Sequence, residues 1–180
     1  DEKGVIYGRL AEMAFELSQY DIAMDGYSNV IAHSLAKEKI ENAHLQILKI
    51  LRIQKEYRLA SRKIKALLSD DKFKRISGNL ELELVNLYRA QGEDDEIENR
   101  LESIVNDYQR TEVSAEAYYQ LGEIYSSEKW DLEKAKEYYG NVSKESNRSL
   151  FSSSSKSRVL AITTYQNTLK EIETINLMDS

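Results

Sequence analysis

The 180-residue chain contains no cysteine and no proline, and only seven of its residues are glycine. The absence of cysteine excludes disulfide bonds, thiolate metal sites and cysteine nucleophiles. Because proline and glycine are the residues that interrupt helices most strongly, their scarcity permits long helices. Segments rich in Val, Ile and Thr are also scarce, which argues against a β-sheet. These absences predict an all-α protein.

Two further features are missing: a long apolar run and an excess of basic residues. No stretch approaches the roughly 18 apolar residues that a membrane-spanning helix needs, so no transmembrane segment is expected. The formal net charge is −6, which disfavours a nucleic-acid partner because the phosphate backbone repels an acidic protein. Apolar residues make up 41% of the chain and charged residues 31%, proportions that suit helices with one buried stripe and one solvated face.

The chain does contain an internal repeat of 37 residues. Equivalent columns recur at this period, with one extra residue near Trp130, as in Leu10, Ile47, Leu84 and Leu121, and in Tyr27, Ile64, Leu101 and Tyr139. Repeats of this length cannot bury their apolar faces alone and must stack on their neighbours. We therefore expect one solenoid domain over residues 1–180, with repeats at about 4–37, 41–74, 78–111 and 115–147. Their turns are expected near residues 18–20, 54–56, 91–94 and 127–131.

The fourth repeat has the most distinctive pattern of small and aromatic residues. A first helical stripe contains Leu121, Gly122 and Tyr125, and a second contains Ala135 and Tyr139. This order resembles the tetratricopeptide repeat (TPR). The resemblance implies a right-handed α-solenoid of four TPR-like helix pairs plus a C-terminal capping helix. Gly122 is expected where the two helices approach closely, because only a small side chain permits that approach.

The long period and the segment that ends the fourth repeat narrow the resemblance further. They are most similar to envelope-associated bacterial TPR lipoproteins and Tol-Pal coordinator-type proteins. This similarity implies a periplasmic or outer-membrane-associated protein, with the cytoplasm as the alternative. The chain begins at Asp1 instead of Met, which suggests a trimmed segment of a longer product.

A last helix is predicted at about residues 155–176. Val159, Ile162, Leu169 and Ile172 follow one another at three-, seven- and three-residue steps, a spacing that places them on one helical face. This helix is expected to cover the apolar end of the fourth repeat, since solenoids need a terminal cap. Alternatively, it begins a fifth repeat of a longer protein.

Candidate residues for catalysis or metal binding are few. His44 occupies a repeat column otherwise filled by Tyr7 and Tyr118, so we interpret it as a packing residue, and His33 stands alone near a helix end. The acidic cluster at residues 93–98 lacks the ligand spacing of a calcium loop and is expected to begin a second helix. No phosphate-binding loop or nucleophile motif is present. We therefore expect no enzyme activity, no cofactor and no metal site.

The TPR resemblance implies a peptide-binding groove lined by the first helix of each repeat. Its expected residues are Glu12, Phe15, Leu45, Lys49, Arg52, Leu82, Asn86, Arg89, Tyr119 and Glu123. Arg52 and Arg89 lie one period apart, so they are candidates for binding successive acidic groups of a ligand. Gly8 and Glu12 stand where the family's chaperone-tail clamp would begin, which argues against binding of chaperone tails.

Charge is distributed unevenly along the chain. Residues 49–75 carry a balance of +7, and residues 81–107 carry −7. The simplest interpretation is that neighbouring surfaces of opposite sign pair with each other. The alternative is that the two surfaces orient a charged partner.

These observations predict a non-enzymatic TPR scaffold or adaptor that binds a protein or peptide partner in its groove. The alternative function is a structural spacer or oligomerisation segment of a larger envelope-assembly protein. Assembly into a homo-oligomer is left open by both.

Overall fold

The computed structural model describes residues 2–179, and all the regular secondary structure within this range is helical. The α-helices are α1 (Glu2–Glu16), α2 (Tyr20–His33), α3 (Lys37–Ile53), α4 (Tyr57–Leu68), α5 (Ser77–Gln91), α6 (Ile97–Asp107), α7 (Glu112–Glu123), α8 (Leu132–Glu145) and α9 (Ser152–Met178). A 3₁₀ helix, Asp71–Ile76, precedes α5, and a π-helical turn, Ile124–Glu128, follows α7. The predicted all-α class is confirmed.

The four predicted turns lie between the expected helices. Each contains one residue in the left-handed backbone region, namely Ser18, Lys55, Gly92 and Trp130 with φ of 57°, 62°, 73° and 53°. A left-handed residue ends a helix because it turns the chain out of the helical path. Three of the four residues are not glycine. The four turns therefore share this backbone conformation although they have no residue type in common.

Side-chain caps fix where two of the later helices begin. The Thr111 hydroxyl accepts a hydrogen bond from the backbone N–H of Ser114 at 3.2 Å, and the Asp131 carboxylate accepts one from Lys134 at 3.1 Å. Such caps satisfy N–H groups that the first turn of a helix leaves unpaired. They set the starts of α7 and α8.

Contacts divide the chain into two compact units, one ending at Asp94 and the other beginning at Asp95. The boundary lies inside the predicted repeat 78–111, so α5 belongs to the first unit and α6 to the second. The predicted division into four repeats within one domain stays a prediction.

In the first unit, each helix packs on the one before it in the chain. α2 packs along α1, α3 on α2, α4 on α3, and α5 on both α3 and α4. Ile47 and Leu84 are buried as their repeat column predicts, but Leu10 of the same column is 44% exposed. Leu10 differs from the later members of its column because no described helix precedes α1 and covers that face.

Two buried carboxylates of the first unit are paired with arginines from other helices. Glu41 of α3 is 3% exposed and accepts two hydrogen bonds of 3.1 Å from Arg75. Glu83 of α5 is paired with Arg52 of α3. A buried carboxylate without such a partner would lower the free energy of unfolding by about 1–3 kcal/mol. These pairs therefore join elements that are distant in sequence.

In the second unit, α7 packs along α8, α6 packs on α7, and α9 packs on α8. A Cβ atom added to Gly122 would lie 2.6 Å from the Tyr139 ring. The tyrosine ring therefore occupies the space that the glycine leaves empty. This close approach of α7 and α8 is where the sequence predicted it.

The acidic cluster lies mostly before α6 instead of inside it. Glu93, Asp94, Asp95 and Glu96 precede the helix, which begins at Ile97. Glu98 alone of the cluster lies in the first turn, where its carboxylate accepts hydrogen bonds from Lys129 and from the Tyr125 hydroxyl. These bonds hold the pKa of Glu98 below its usual value. The expectation that the whole cluster begins a helix is thus only partly correct.

The last helix is longer than predicted, and only its first half packs on the unit. Ser155 and Ile162 are buried, and Gln166 donates a hydrogen bond of 2.8 Å to Glu133 of α8. Leu169 and Ile172, expected to be covered on the same face, are 42% and 49% exposed. The capping role therefore ends near Gln166, because no described part of the unit extends beneath the rest of α9.

Candidate peptide-binding groove

Eight of the ten predicted groove residues belong to α1, α3 and α5 of the first unit. Glu12, Lys49 and Arg89 are exposed, and Leu45 and Asn86 are half-buried. Helices α3 and α5 pack against each other, and the predicted residues on them occupy equivalent positions of the repeat. We use the name candidate groove for the exposed and half-buried members of this set together with the depression described next.

A depression of about 240 Å³ adjoins Glu12 at the start of the first unit. Its lining comes from α1, α2 and α3 and consists of Gly4, Val5, Gly8, Arg9, Glu12, Tyr27, Val30, Lys39 and Asn42. Gly4 and Gly8 lie one helical turn apart, so two successive turns of α1 carry no side chain on this face. The absence of those side chains leaves the space open.

The polar groups of this depression are of mixed charge. Arg9 and Lys39 are cationic, Glu12 is anionic, and Asn42 offers an amide. Burial and the charges of Glu12 and Glu16 raise the pKa of the Tyr27 hydroxyl. Sequence reasoning found Glu12 but missed Arg9, Lys39 and Asn42. The two glycines four residues apart were the available signal.

Arg52 is not available in the way that its sequence position suggested. Its Nε donates a hydrogen bond of 2.7 Å to Glu83, whose side chain is 6% exposed. Because Arg52 already balances a buried charge, only Arg89 of the two predicted arginines is left to bind a carboxylate of a ligand. Lys49, one turn away from Arg52 on α3, is exposed.

Two apolar residues of the predicted set serve packing within the first unit. Leu82 is 5% exposed, so it lies between helices and cannot contact a ligand. Phe15 is half-buried and meets Tyr20 edge-to-face, with ring centroids 5.8 Å apart.

In the second unit, Tyr119 and Glu123 form an internal cluster. The Tyr119 ring lies between Tyr139 and Phe151, at centroid distances of 5.4 and 5.1 Å. Glu123 accepts a hydrogen bond of 2.9 Å from the Tyr139 hydroxyl and forms an ion pair of 3.3 Å with Arg158. Burial raises the pKa of Tyr139 to about 12. These two predicted residues therefore hold α7 against α8 and α9.

A second depression of the first unit lies between α4 and α5 and is basic. It has a volume of about 570 Å³ and is lined by Tyr57, Arg58, Ser61, Arg62, Lys65, Tyr88, Gln91 and Glu93. Arg58, Arg62 and Lys65 recur at four- and three-residue steps along α4, so they share one face. Among residues 2–179, none of these three cations forms an ion pair with a carboxylate.

The two histidines lie apart from the candidate groove. His44 packs edge-to-face on Phe73, with ring centroids 4.9 Å apart, which agrees with the packing role predicted for it. His33 is exposed at the end of α2. Within residues 2–179, no three His, Asp or Glu side chains come together as a metal-binding cluster.

The chain matches no protein-family model and no curated protein. Among solved structures, it is similar to the crystal structure of MamA protein, a TPR-containing protein. The fold is of the TPR type. The two chains are 19% identical, the TM-score is 0.52, and the match covers 96% of this chain and 93% of the other. At this identity, the likeness shows the fold alone.

Among the described residues, no helix is both long enough and apolar enough to cross a bilayer.

Proposed function

We propose that the protein is an adaptor that binds an extended acidic peptide along the candidate groove of the first unit. The observation that carries this proposal is the open depression beside Gly4 and Gly8. Exposed residues at repeated positions of α3 and α5 also support it. Glycines that leave a depression beside cationic side chains allow a peptide backbone to approach closely.

The sign of the expected ligand follows from the exposed charges. The exposed cations of the candidate groove are Arg9, Lys39, Lys49 and Arg89. Among the residues that line the depression, Glu12 is the carboxylate. Arg52 contributes little net charge because Glu83 balances it. Lysine and arginine at repeated positions suit carboxylates spaced along an extended chain.

Binding is tested with acidic peptides selected from a random peptide library on the immobilised protein. Lys49→Glu combined with Arg89→Glu should weaken a selected peptide at least tenfold, or by about 1.4 kcal/mol, because two cation contacts become repulsive. The matched control is Arg58→Glu combined with Arg62→Glu, which makes the same charge change on α4. Arg52 is left intact because its replacement would expose a buried carboxylate.

The control decides where the peptide binds. Equal affinity of the wild type and the α4 double variant, with loss in the Lys49 and Arg89 variant, supports the candidate groove. Loss of binding in the α4 variant alone would move the ligand to the basic depression and contradict the proposal.

We further propose a role at the bacterial cell envelope. It is supported by the resemblance of the sequence to envelope-associated TPR lipoproteins and Tol-Pal coordinator-type proteins. Cell fractionation of the full-length gene product tests it: recovery in the periplasm or with the outer membrane is expected, and recovery in the cytoplasm would contradict it.

A second candidate function is that of an oligomerisation segment. It is favoured by apolar residues of α1 that no described helix covers, including Leu10 and Met13, which are 44% and 62% exposed. The protein would then build a larger assembly through copies of itself, whether or not the candidate groove binds a peptide.

A further inference from the structure

The basic depression between α4 and α5 of the first unit is not used by the proposed function. It has a volume of about 570 Å³, and its lining includes Arg58, Arg62 and Lys65, which are exposed cations on one face of α4. Among the described residues that line it, Glu93 is the only carboxylate. Three positive charges against one negative charge leave the lining with an excess of two positive charges.

The composition of α4 prevents these cations from being neutralised within their own helix. Over Tyr57–Leu68, α4 contains four basic residues and no acidic residue. Elsewhere in the basic segment 49–75, two arginines pair with buried carboxylates. The three cations of the depression have no such partner within residues 2–179. Because like charges one turn apart destabilise a helix, this arrangement favours a ligand that brings negative charge.

Uncharged side chains complete the lining. Ser61 of α4 is half-buried and adds a hydroxyl group. Tyr57 and Tyr88 line the depression from α4 and α5, and both are half-buried. The Tyr57 hydroxyl donates a hydrogen bond of 3.3 Å to the backbone carbonyl of Ala90, which links the two helices at this wall. The depression thus combines cations with a hydroxyl group and two aromatic side chains.

The charge of the lining indicates the chemistry of the ligand. A carboxylate carries one negative charge, whereas the phosphate of a phosphorylated side chain carries about −1.5 to −2 at neutral pH and has three acceptor oxygens. The phosphate therefore matches the excess of two positive charges. The planar guanidinium groups of Arg58 and Arg62 suit a phosphate because each can donate paired hydrogen bonds to its oxygens.

Two other partners that carry phosphate fit the molecule less well. A long nucleic acid is disfavoured by the formal net charge of −6, because an acidic protein repels the phosphate backbone. A bilayer presents a broad surface, whereas these cations line a depression between two helices. A phosphorylated side chain is small enough to enter such a depression, and arginine clusters are a recurring means of recognising phosphorylated motifs.

We propose that the α4–α5 depression binds a phosphorylated residue of a partner protein. None of its lining residues belongs to the candidate groove, so the first unit has two separate binding sites. In this second site, Arg58 and Arg62 bind the phosphate oxygens and Lys65 adds a third positive charge. The two tyrosine rings contact the residues that flank the phosphate.

Fluorescence anisotropy on the full chain tests the proposal. The probe is selected on the immobilised protein from a pool of short peptides that have a central phosphorylated serine, threonine or tyrosine and random uncharged flanks. The selected peptide is measured in its phosphorylated form, in its unphosphorylated form and with glutamate at the centre. The phosphorylated form should bind about tenfold or more tightly than the glutamate form, because glutamate carries less charge and fewer acceptor oxygens. The unphosphorylated form should bind more weakly still.

Two double variants locate the site. Arg58→Gln with Arg62→Gln should weaken binding of the phosphorylated peptide by about tenfold or more, because both guanidinium groups are lost. Lys72→Gln with Lys74→Gln is the matched control, since it removes the same charge from the same basic segment at residues that do not line the depression. The control should bind the peptide as the wild type does. All four residues are exposed, so neither variant should unfold, which circular dichroism verifies.

Three results would overturn the proposal: no binding of any phosphorylated peptide, equal affinity for the phosphorylated and glutamate forms, or unchanged affinity in the arginine variant. Binding of vesicles that contain phosphatidic acid, without binding of a phosphorylated peptide, would show that the depression contacts a membrane instead.

Competition separates this site from the candidate groove. The acidic peptide selected for the groove should not displace the phosphorylated peptide, and displacement would contradict two separate sites. If no acidic peptide binds the groove, the measurements on the phosphorylated peptide still stand, so the two proposals fail independently.

Discussion

At the scale of single residues, Gly122 lies in close contact with a side chain of the facing helix. A methyl group there would meet the Tyr139 ring at 2.6 Å, and that ring is also fixed by hydrogen bonds to Ser126 and Glu123. Gly122→Leu should therefore lower the free energy of unfolding by about 1–3 kcal/mol through overpacking. Thermal melting measures the effect.

Gly140 provides the matched control in the same helix pair. A Cβ atom at Gly140, inside α8, meets no heavy atom within 4 Å. Gly140→Ala should raise stability by up to about 1 kcal/mol, since alanine favours the helix more than glycine does. Equal melting temperatures for Gly122→Leu and the wild type would show that α7 and α8 are not in close contact at this point.

His44 should make stability depend on pH. Burial first, and then the charge of Lys63, lower its pKa below the usual 6.5 in the folded protein. The unfolded chain therefore binds the proton more readily, and stability should fall as pH drops below about 6.5 until the folded imidazole is protonated too.

Chemical denaturation at a series of pH values measures this dependence. The lowered pKa values of Glu98 and Glu133 affect stability mainly as the pH falls towards 4.5 and below. In the window between 4.5 and 6.5, the difference between the wild type and a His44 variant therefore reports on His44. His44→Phe should flatten the curve in this window, whereas His33→Gln, at an exposed site, should not. An unchanged slope in His44→Phe would contradict the assignment.

At the scale of helices, the contact between Arg52 and Glu83 links α3 to α5. Arg52→Ala would leave a carboxylate that is 6% exposed without its partner, at a cost of about 1–3 kcal/mol. Arg89→Ala, at an exposed position of α5, should change stability by less than about 0.5 kcal/mol. Equilibrium unfolding in urea compares the two. Equal losses would mean that the ion pair does not stabilise the unit.

The two halves of α9 should respond differently to truncation. Removal of the chain after Gln166 deletes only side chains that are exposed in the described part of the helix, so the melting temperature should be unchanged. Removal of everything from Ser155 onward also deletes Ile162 and uncovers the apolar side of α8, so the protein should melt lower and aggregate. Equal behaviour of the two truncations would refute a cap that ends near Gln166.

Helix ends were predictable from the sequence because they depend on local features. The turns at Ser18, Lys55 and Trp130 follow from a change of apolar periodicity and recur with the repeat. The extent of α9 was less predictable. Periodicity shows that Leu169 and Ile172 share a face with Ile162, but it does not show how far the neighbouring helix extends beneath them.

At the scale of the whole molecule, the repeat predicted the fold class, but it did not predict which side chains contact each other between helices. The repeat pattern around Leu10 does not show whether a helix covers that residue, so the exposure of Leu10 could not be predicted. The pairing of Arg52 with Glu83 joins residues 31 positions apart, and no local pattern marks such a pair. Both features depend on which helices are neighbours, and that is a property of the assembled fold.

The distribution of charge also depends on which helices are neighbours, which the sequence does not show. Part of the basic segment 49–75 is balanced inside the first unit, through Arg52 with Glu83 and Arg75 with Glu41. Other cations of that segment, such as Arg58 and Arg62, line an open basic depression instead. Sequence alone gave the balance of +7 but not its division between structural pairs and available surface.

Amide chemical-shift mapping of the protein with a selected acidic peptide tests the central claim most directly. If the candidate groove binds the peptide, the largest shifts should cluster around Glu12, Lys49 and Arg89. Shifts confined to Arg58 and Arg62 of α4, with those three residues unmoved, would contradict the account.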